Sequence, residues 1–145
     1  MRRIVSHVLV LCLISMCGCL PQTTPTAFDM ERFGVTQAEV EEQHQKYGKL
    51  QDGSKIGDEY ALDSLIVMVY PFAYHINYTP KDFAEIGCFD VIVLSEGDLE
   101  KDGPNKILCL KIRPTTKQGI LDAVRILEQR PDIYSAGPNH ILHIS

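Results

Sequence analysis

TKQGILDAVRILEQRPDIYSAGPNHILHIS, residues 116–145, reads as an amphipathic helix, a tight turn and a last strand. Ile120, Leu121, Val124 and Leu127 follow the i, i+1, i+4, i+7 spacing that lines one face of a helix. Thr115 or Thr116 supplies the cap, because a hydroxyl accepts from the unpaired N–H groups of a first turn. Pro131 cannot continue a helix and pushes the residue before it out of the helical region, so the helix should end near Arg130. Ile133 to Ile144 is β-prone but contains Pro138, which has no N–H for a ladder. An edge strand is the reading that tolerates it.

Working upstream, Leu65 to Tyr70 is a continuous apolar run of strand length, expected at the centre of a sheet. Thr79, Pro80 and Asp82 then provide a cap, a first-turn proline and an acid where the helix dipole favours one. The short helix they open carries Phe83 and Ile86 and stops at Gly87. Val91 to Leu94 is a second strand, Glu96 to Asn105 a turn-forming loop, and Ile107 to Ile112 a third strand. The order is β-α-β-β-α-β. Right-handed crossovers and a hairpin between strands two and three turn this into an α+β, ferredoxin-like domain over residues 63–145: a four-stranded antiparallel sheet, strand order 4-1-3-2, with two helices on one face. Leu108, Leu110 and Ile112 should meet the helices, and Ile107 and Cys109 the open face beside Lys111 and Arg113.

The chain begins with an address. Arg2 and Arg3 precede an apolar run, Ile4 to Met16, too short for an ordinary spanning helix and typical of a secretory signal. Met16-Cys17-Gly18-Cys19 resembles the lipobox of bacterial lipoproteins, with small Gly18 before Cys19. The resemblance implies a signal peptide over residues 1–18, cleavage before Cys19 and acylation, palmitate included, of that cysteine. The protein would then be held in a bacterial cell envelope, outside the cytoplasm, by a lipid anchor; more than one chain is needed for a firm hold. A plain cleaved signal or an uncleaved anchor are the alternatives.

Without residues 1–18 the 14 basic residues fall to 12 against 19 acidic ones, a formal charge of −7. So acidic a chain lacks the Lys and Arg that nucleic acid binding needs. Residues 19–62 read as a tether followed by an accessory segment: the solvated spacer Pro21 to Thr26, then a polar helix, Gln37 to Tyr47, opened by a Thr36/Glu39 capping box and closed by Gly48.

The phrase LEQRPDIYSAGPNH, residues 127–140, after a β-α-β-β-α order, resembles the propeptides of subtilisin-like proteases and the related stand-alone proteinase inhibitors. Thr79, Pro80, Asp82, Phe83, Glu85, Ile86, Gly87 and Cys88 are also similar to a pattern in small secreted bacterial modules of propeptide-like fold. The resemblance implies an inhibitor or chaperone rather than an enzyme, with the sheet face on the protease and an extended tail in its cleft. Carried onto this sequence, the protease-contacting tail is His140, Ile141, Leu142, His143, Ile144 and Ser145. With no protease following Ser145, folding a linked enzyme is not expected. Shared fold transfers function poorly. The first expectation is therefore a non-catalytic binding or structural module whose partner is an envelope protein; inhibition of a subtilisin-like protease is the alternative.

Other combinations point nowhere as clear. His140 and His143 sit i, i+3 on a strand and face opposite sides, a poor metal pair. His75 with Cys88 lacks a third, orienting group for a thiol nucleophile. Asn77-Tyr78-Thr79 fits a glycosylation acceptor but reads more simply as the loop and cap before the first helix. Asp98, Glu100 and Asp102 lack the glycine and glutamate spacing of a calcium loop. Cys88 and Cys109 either pair or serve as two small apolar residues. No cofactor motif is present.

Overall fold

The computed structural model of the chain describes residues 28–101 and 103–141. The expected signal peptide, Cys19, the spacer Pro21 to Thr26, Asp102 and Leu142 to Ser145 lie outside the described residues. Within them the elements run α1 (Met30–Phe33), α2 (Gln37–Tyr47), β1 (Tyr60–Val69), a 3-10 turn (Pro71–Ala73), a 3-10 helix (Pro80–Ile86), β2 (Cys88–Glu96), β3 (Lys106–Ile112), α3 (Lys117–Glu128) and β4 (Ile133–His140).

The strands form one four-stranded antiparallel sheet in the order β2-β3-β1-β4. β1 pairs with both β3 and β4, placing Ile66 opposite Cys109 on one side and Gly137 on the other. The period-2 alternation of a strand then sorts side chains by face. Leu65, Val67, Val69, Leu108, Leu110 and Ile112 are buried and meet Ile120, Val124 and Leu127 of α3 and Phe83 of the 3-10 helix in one core. On the opposite face Ile66, Met68, Ile107 and Lys111 are only half-buried. Cys109 belongs to that face by register yet is almost fully covered. β4 lies at an edge, where Pro138 is tolerated.

α3 starts where the hydroxyl pattern puts it: Thr116 Oγ1 accepts from Gly119 N at 3.1 Å. The Thr36/Glu39 capping box also forms, with Thr36 N donating to Glu39 Oε2 at 2.8 Å and Glu39 N to Thr36 Oγ1 at 3.3 Å. The expected helix after Thr79 is instead a 3-10 helix, broken at Phe83 (φ −130°, ψ 30°). Its start is fixed by Thr79, whose N and Oγ1 both donate to Asp82 Oδ2, at 2.7 and 2.8 Å. Its end is fixed by Gly87 at φ 69°. Seven residues between such stops are too few for a regular α-helix to repay its nucleation, and short 3-10 pieces fill such gaps.

The boundary expected at Asp63 falls inside β1, and the core continues upstream of it. Phe28, Val35, Val40 and Tyr60 are buried in the same cluster as the sheet. His44 Nε2 lies 2.7 Å from Pro131 O, and Lys49 Nζ donates to Arg130 O at 2.8 Å. Leu50 N donates to Tyr134 O on the outer side of β4, and Asp52 lies against Gly137. The accessory segment thereby shields one sheet edge. Across the sheet, β2 pairs with β3 alone.

Candidate functional site

The densest concentration of charge is the turn between α3 and β4. Arg130 and Asp132 form a two-pronged pair, Nε to Oδ1 at 3.0 Å and Nη2 to Oδ2 at 2.8 Å, and neither side chain is more than 5% exposed. Tyr78 donates its hydroxyl to Asp132 Oδ2 at 2.8 Å. Arg130 Nη1 also donates to the Asp82 carbonyl and, at 3.2 Å, to Glu85 Oε1, while the guanidinium stacks 4.6 Å from the Phe83 ring. Glu85 Oε2 is buried without a hydrogen-bond partner.

The electrostatics of this cluster are those of a clamp. Burial, reinforced by Asp132, pushes the Tyr78 phenol far above its ordinary range. Burial disfavours the Arg130 charge, but its bonds to Asp132 and the charges of Asp132 and Glu85 outweigh that and raise its pKa. Neither Tyr78 nor Arg130 gives up its proton near neutral pH. It joins the 3-10 helix, the Tyr78 loop, α3 and β4, and through Tyr70 N donating to Asp132 O it also holds the end of β1.

Asp82 extends the clamp outward by pairing with Arg32 at 2.7 Å. Burial alone would raise the Asp82 pKa; the hydrogen bonds from Thr79 and the Arg32 pair more than offset this and hold it below the usual carboxylate range. A carboxylate depressed in the folded state stabilises the fold above its unfolded value, about 3.9, and that contribution is lost as pH falls through the folded value. Melting curves between neutral pH and pH ~3 should therefore show a steeper acid loss for the wild type than for Asp82→Asn. The variant itself should cost about 1 kcal/mol at neutral pH through the weakened cap. Parallel acid profiles would show that Asp82 is not held this way.

Lys106 is a further buried charge, apart from this cluster. It is 4% exposed, and its Nζ donates to Tyr74 O at 2.7 Å and Ile76 O at 3.0 Å. Burial lowers its pKa, with Glu96 opposing. The ammonium ties the Tyr74–Tyr78 loop to the sheet.

Among the described residues, those singled out in the sequence are not brought together. His140 closes β4 opposite Tyr60, with Nε2 at 3.0 Å from Ser54 Oγ. Ile141 donates its N–H to Glu59 O at 3.4 Å and is half exposed. His75 is bound to Phe33 O at 2.8 Å, while the Cys88 thiol donates to Asp90 O at 3.2 Å and is pushed up by burial, the reverse of an activated thiol. Both cysteines are free; Cys109 faces Ile92 in the ladder and Cys88 faces Ile112, roughly three to four residues or ~10–13 Å apart along β2, beyond disulfide reach. Asp98 accepts from Glu100 N at 3.0 Å and pairs with Lys101 at 3.2 Å, which makes it a turn residue. Among the described residues no group of three His, Cys, Asp or Glu could hold a metal ion, and no helix is long and apolar enough to cross a membrane.

No protein-family model, curated protein or solved structure matches the chain. What the geometry itself presents is apolar surface. Large apolar side chains left open on the sheet concentrate on β2 and its hairpin, Phe89 (59%), Ile92 (40%), Val93 (42%), Leu94 (57%) and Leu99 (74%), with Leu62 of β1 at 39%. The sequence reading marked Val91 to Leu94 as a strand but not its exposure, because a continuous apolar run does not reveal which side of a sheet lacks a neighbour.

Proposed function

We propose that the chain is an envelope lipoprotein, anchored through Cys19, whose folded part is a non-catalytic binding module of ferredoxin-like, propeptide-like form. The fold reading draws on the strand order, which read from the β4 edge is 4-1-3-2. It also draws on the connections: the 3-10 helix lies between β1 and β2, α3 lies between β3 and β4, and both contribute to the same core. The observation that carries the binding role is the apolar sheet face turned away from α3, where Ile66, Met68 and Ile107 are half-buried and Ile92 is 40% exposed. A side of a sheet with this composition gains by being covered, at roughly 25 cal/mol per Å² of apolar area removed from water. The anchor implied by Met16 to Cys19 would present that face outside the cytoplasm.

The second reading, inhibition of a subtilisin-like serine protease through residues 140–145, is favoured by the half-exposed Ile141 just past the end of β4. Titrating the full chain and a form ending at His140 against a panel of such proteases separates the two. The module reading predicts that neither form inhibits, and that Ile107→Lys, on the open face, abolishes retention of an envelope partner. Sub-micromolar inhibition that vanishes on truncation would replace the module with the inhibitor.

A further inference from the structure

The free edge of the sheet is built unlike its opposite edge. In the β2–β3 ladder Cys88 faces Ile112 and Asp90 faces Lys111, so Phe89 has no opposite residue; Val93 faces Leu108 and Ser95 faces Ile107, so Leu94 has none either. Each is the extra residue of a β-bulge, and each is a large apolar side chain more than half exposed. Bulges break the regular spacing of N–H and C=O groups and re-aim side chains. Between these two only the four residues Asp90 to Val93 keep an unbroken ladder, too little for a partner strand to pair along the edge. Recognition at this edge must therefore come from side chains. Beside Val93 lies a cleft of about 260 Å³, walled by Ile76, Tyr78, Leu108 and Glu96 above the Lys106 stem, wide enough for a partner's apolar side chain.

Charge says what such a partner is. The described residues 88–101 and 103–105 carry four acids (Asp90, Glu96, Asp98, Glu100) against one base, Lys101, a formal −3. A second copy docked edge to edge would bring two such acidic rims together, and an anionic lipid surface would be repelled. An apolar patch with an acidic rim attracts an apolar segment flanked by lysine or arginine. We propose that the bulged β2 edge docks a basic polypeptide segment bearing spaced apolar side chains, held by Phe89, Leu94 and the cleft beside Val93. This deepens the binding-module reading and rests on it, naming the partner's chemistry.

The test is a fluorescence anisotropy titration of the full chain with a labelled synthetic peptide of alternating Leu and Lys, and with its Leu/Glu counterpart. Saturable binding of the Lys peptide is expected, at least about tenfold tighter than the Glu peptide and weakening steeply with added salt. Phe89→Lys and Leu94→Lys should each weaken it by about tenfold or more, and because both side chains are already exposed neither should change the melting temperature appreciably. Equal binding of the two peptides, binding indifferent to both variants, or no binding of either peptide would overturn the proposal. So would concentration-dependent dimerisation lost in Leu94→Lys, which would assign the edge to a second copy. Retention of an envelope partner that depends on Ile107 but not on Phe89 or Leu94 would reject this edge and leave the module itself standing.

Discussion

Asp132→Ala should cost about 3–5 kcal/mol, because it leaves the Arg130 guanidinium buried without its carboxylate. Against a total stability of roughly 5–15 kcal/mol for a domain, that is enough to depopulate the folded state near physiological temperature. The loss is also structural, since Tyr78 and the 3-10 helix are fixed to β4 through the same two residues. Urea denaturation of wild type, Asp132→Ala and the paired change Arg130→Met with Asp132→Leu measures it. The paired change should be the milder, because it removes both members of the more deeply buried pair and leaves only the Glu85 carboxylate without its cation. A cost for Asp132→Ala below about 1 kcal/mol would mean that the cluster does not hold the fold.

Phe83→Ala should be nearly as damaging, at about 3–5 kcal/mol. Phe83 is fully buried, 5.4 Å from the Tyr78 ring and under the Arg130 guanidinium, at the one residue where the 3-10 helix departs from helical geometry. The kink turns the ring into the core, so its removal opens a cavity that neighbours locked by ion pairs cannot collapse to fill. Leu94→Ala, by comparison, deletes a side chain that is 57% exposed and should stay within about 0.5 kcal/mol of wild type. Similar costs at the two positions would contradict the assignment of inside and outside.

The elements with strong local signals were legible from the sequence. α3 has a hydroxyl cap, a helical apolar period and a proline beyond its end, and it spans Lys117–Glu128. Pro138 marked β4 as an edge strand by chemistry alone. Where local signals are balanced by packing, less could be read. Thr79, Pro80 and Asp82 specify a helix start equally well for an α or a 3-10 turn, and burial of Phe83 together with the glycine stop selects the latter. The contribution of residues 28–58 to the core was hidden for another reason: Phe28, Val35 and Val40 are single apolar residues in polar surroundings, with no periodicity to reveal them. Arg130 and Asp132 are only two residues apart in sequence, but what makes them a clamp is Tyr78, Asp82 and Glu85, about fifty residues away. The exposure of Phe89 and Leu94 follows from bulges, which appear only once the β2–β3 register is known.

Site-specific photo-crosslinking in intact cell envelopes addresses the central claim most directly, with the crosslinker at Ile107 on the open sheet face or at Ile141 at the start of the tail. A binding module predicts an adduct of one defined mass from position 107 that persists when the chain is truncated after His140. An adduct formed from position 141 but not from position 107 would contradict that account and assign recognition to the tail.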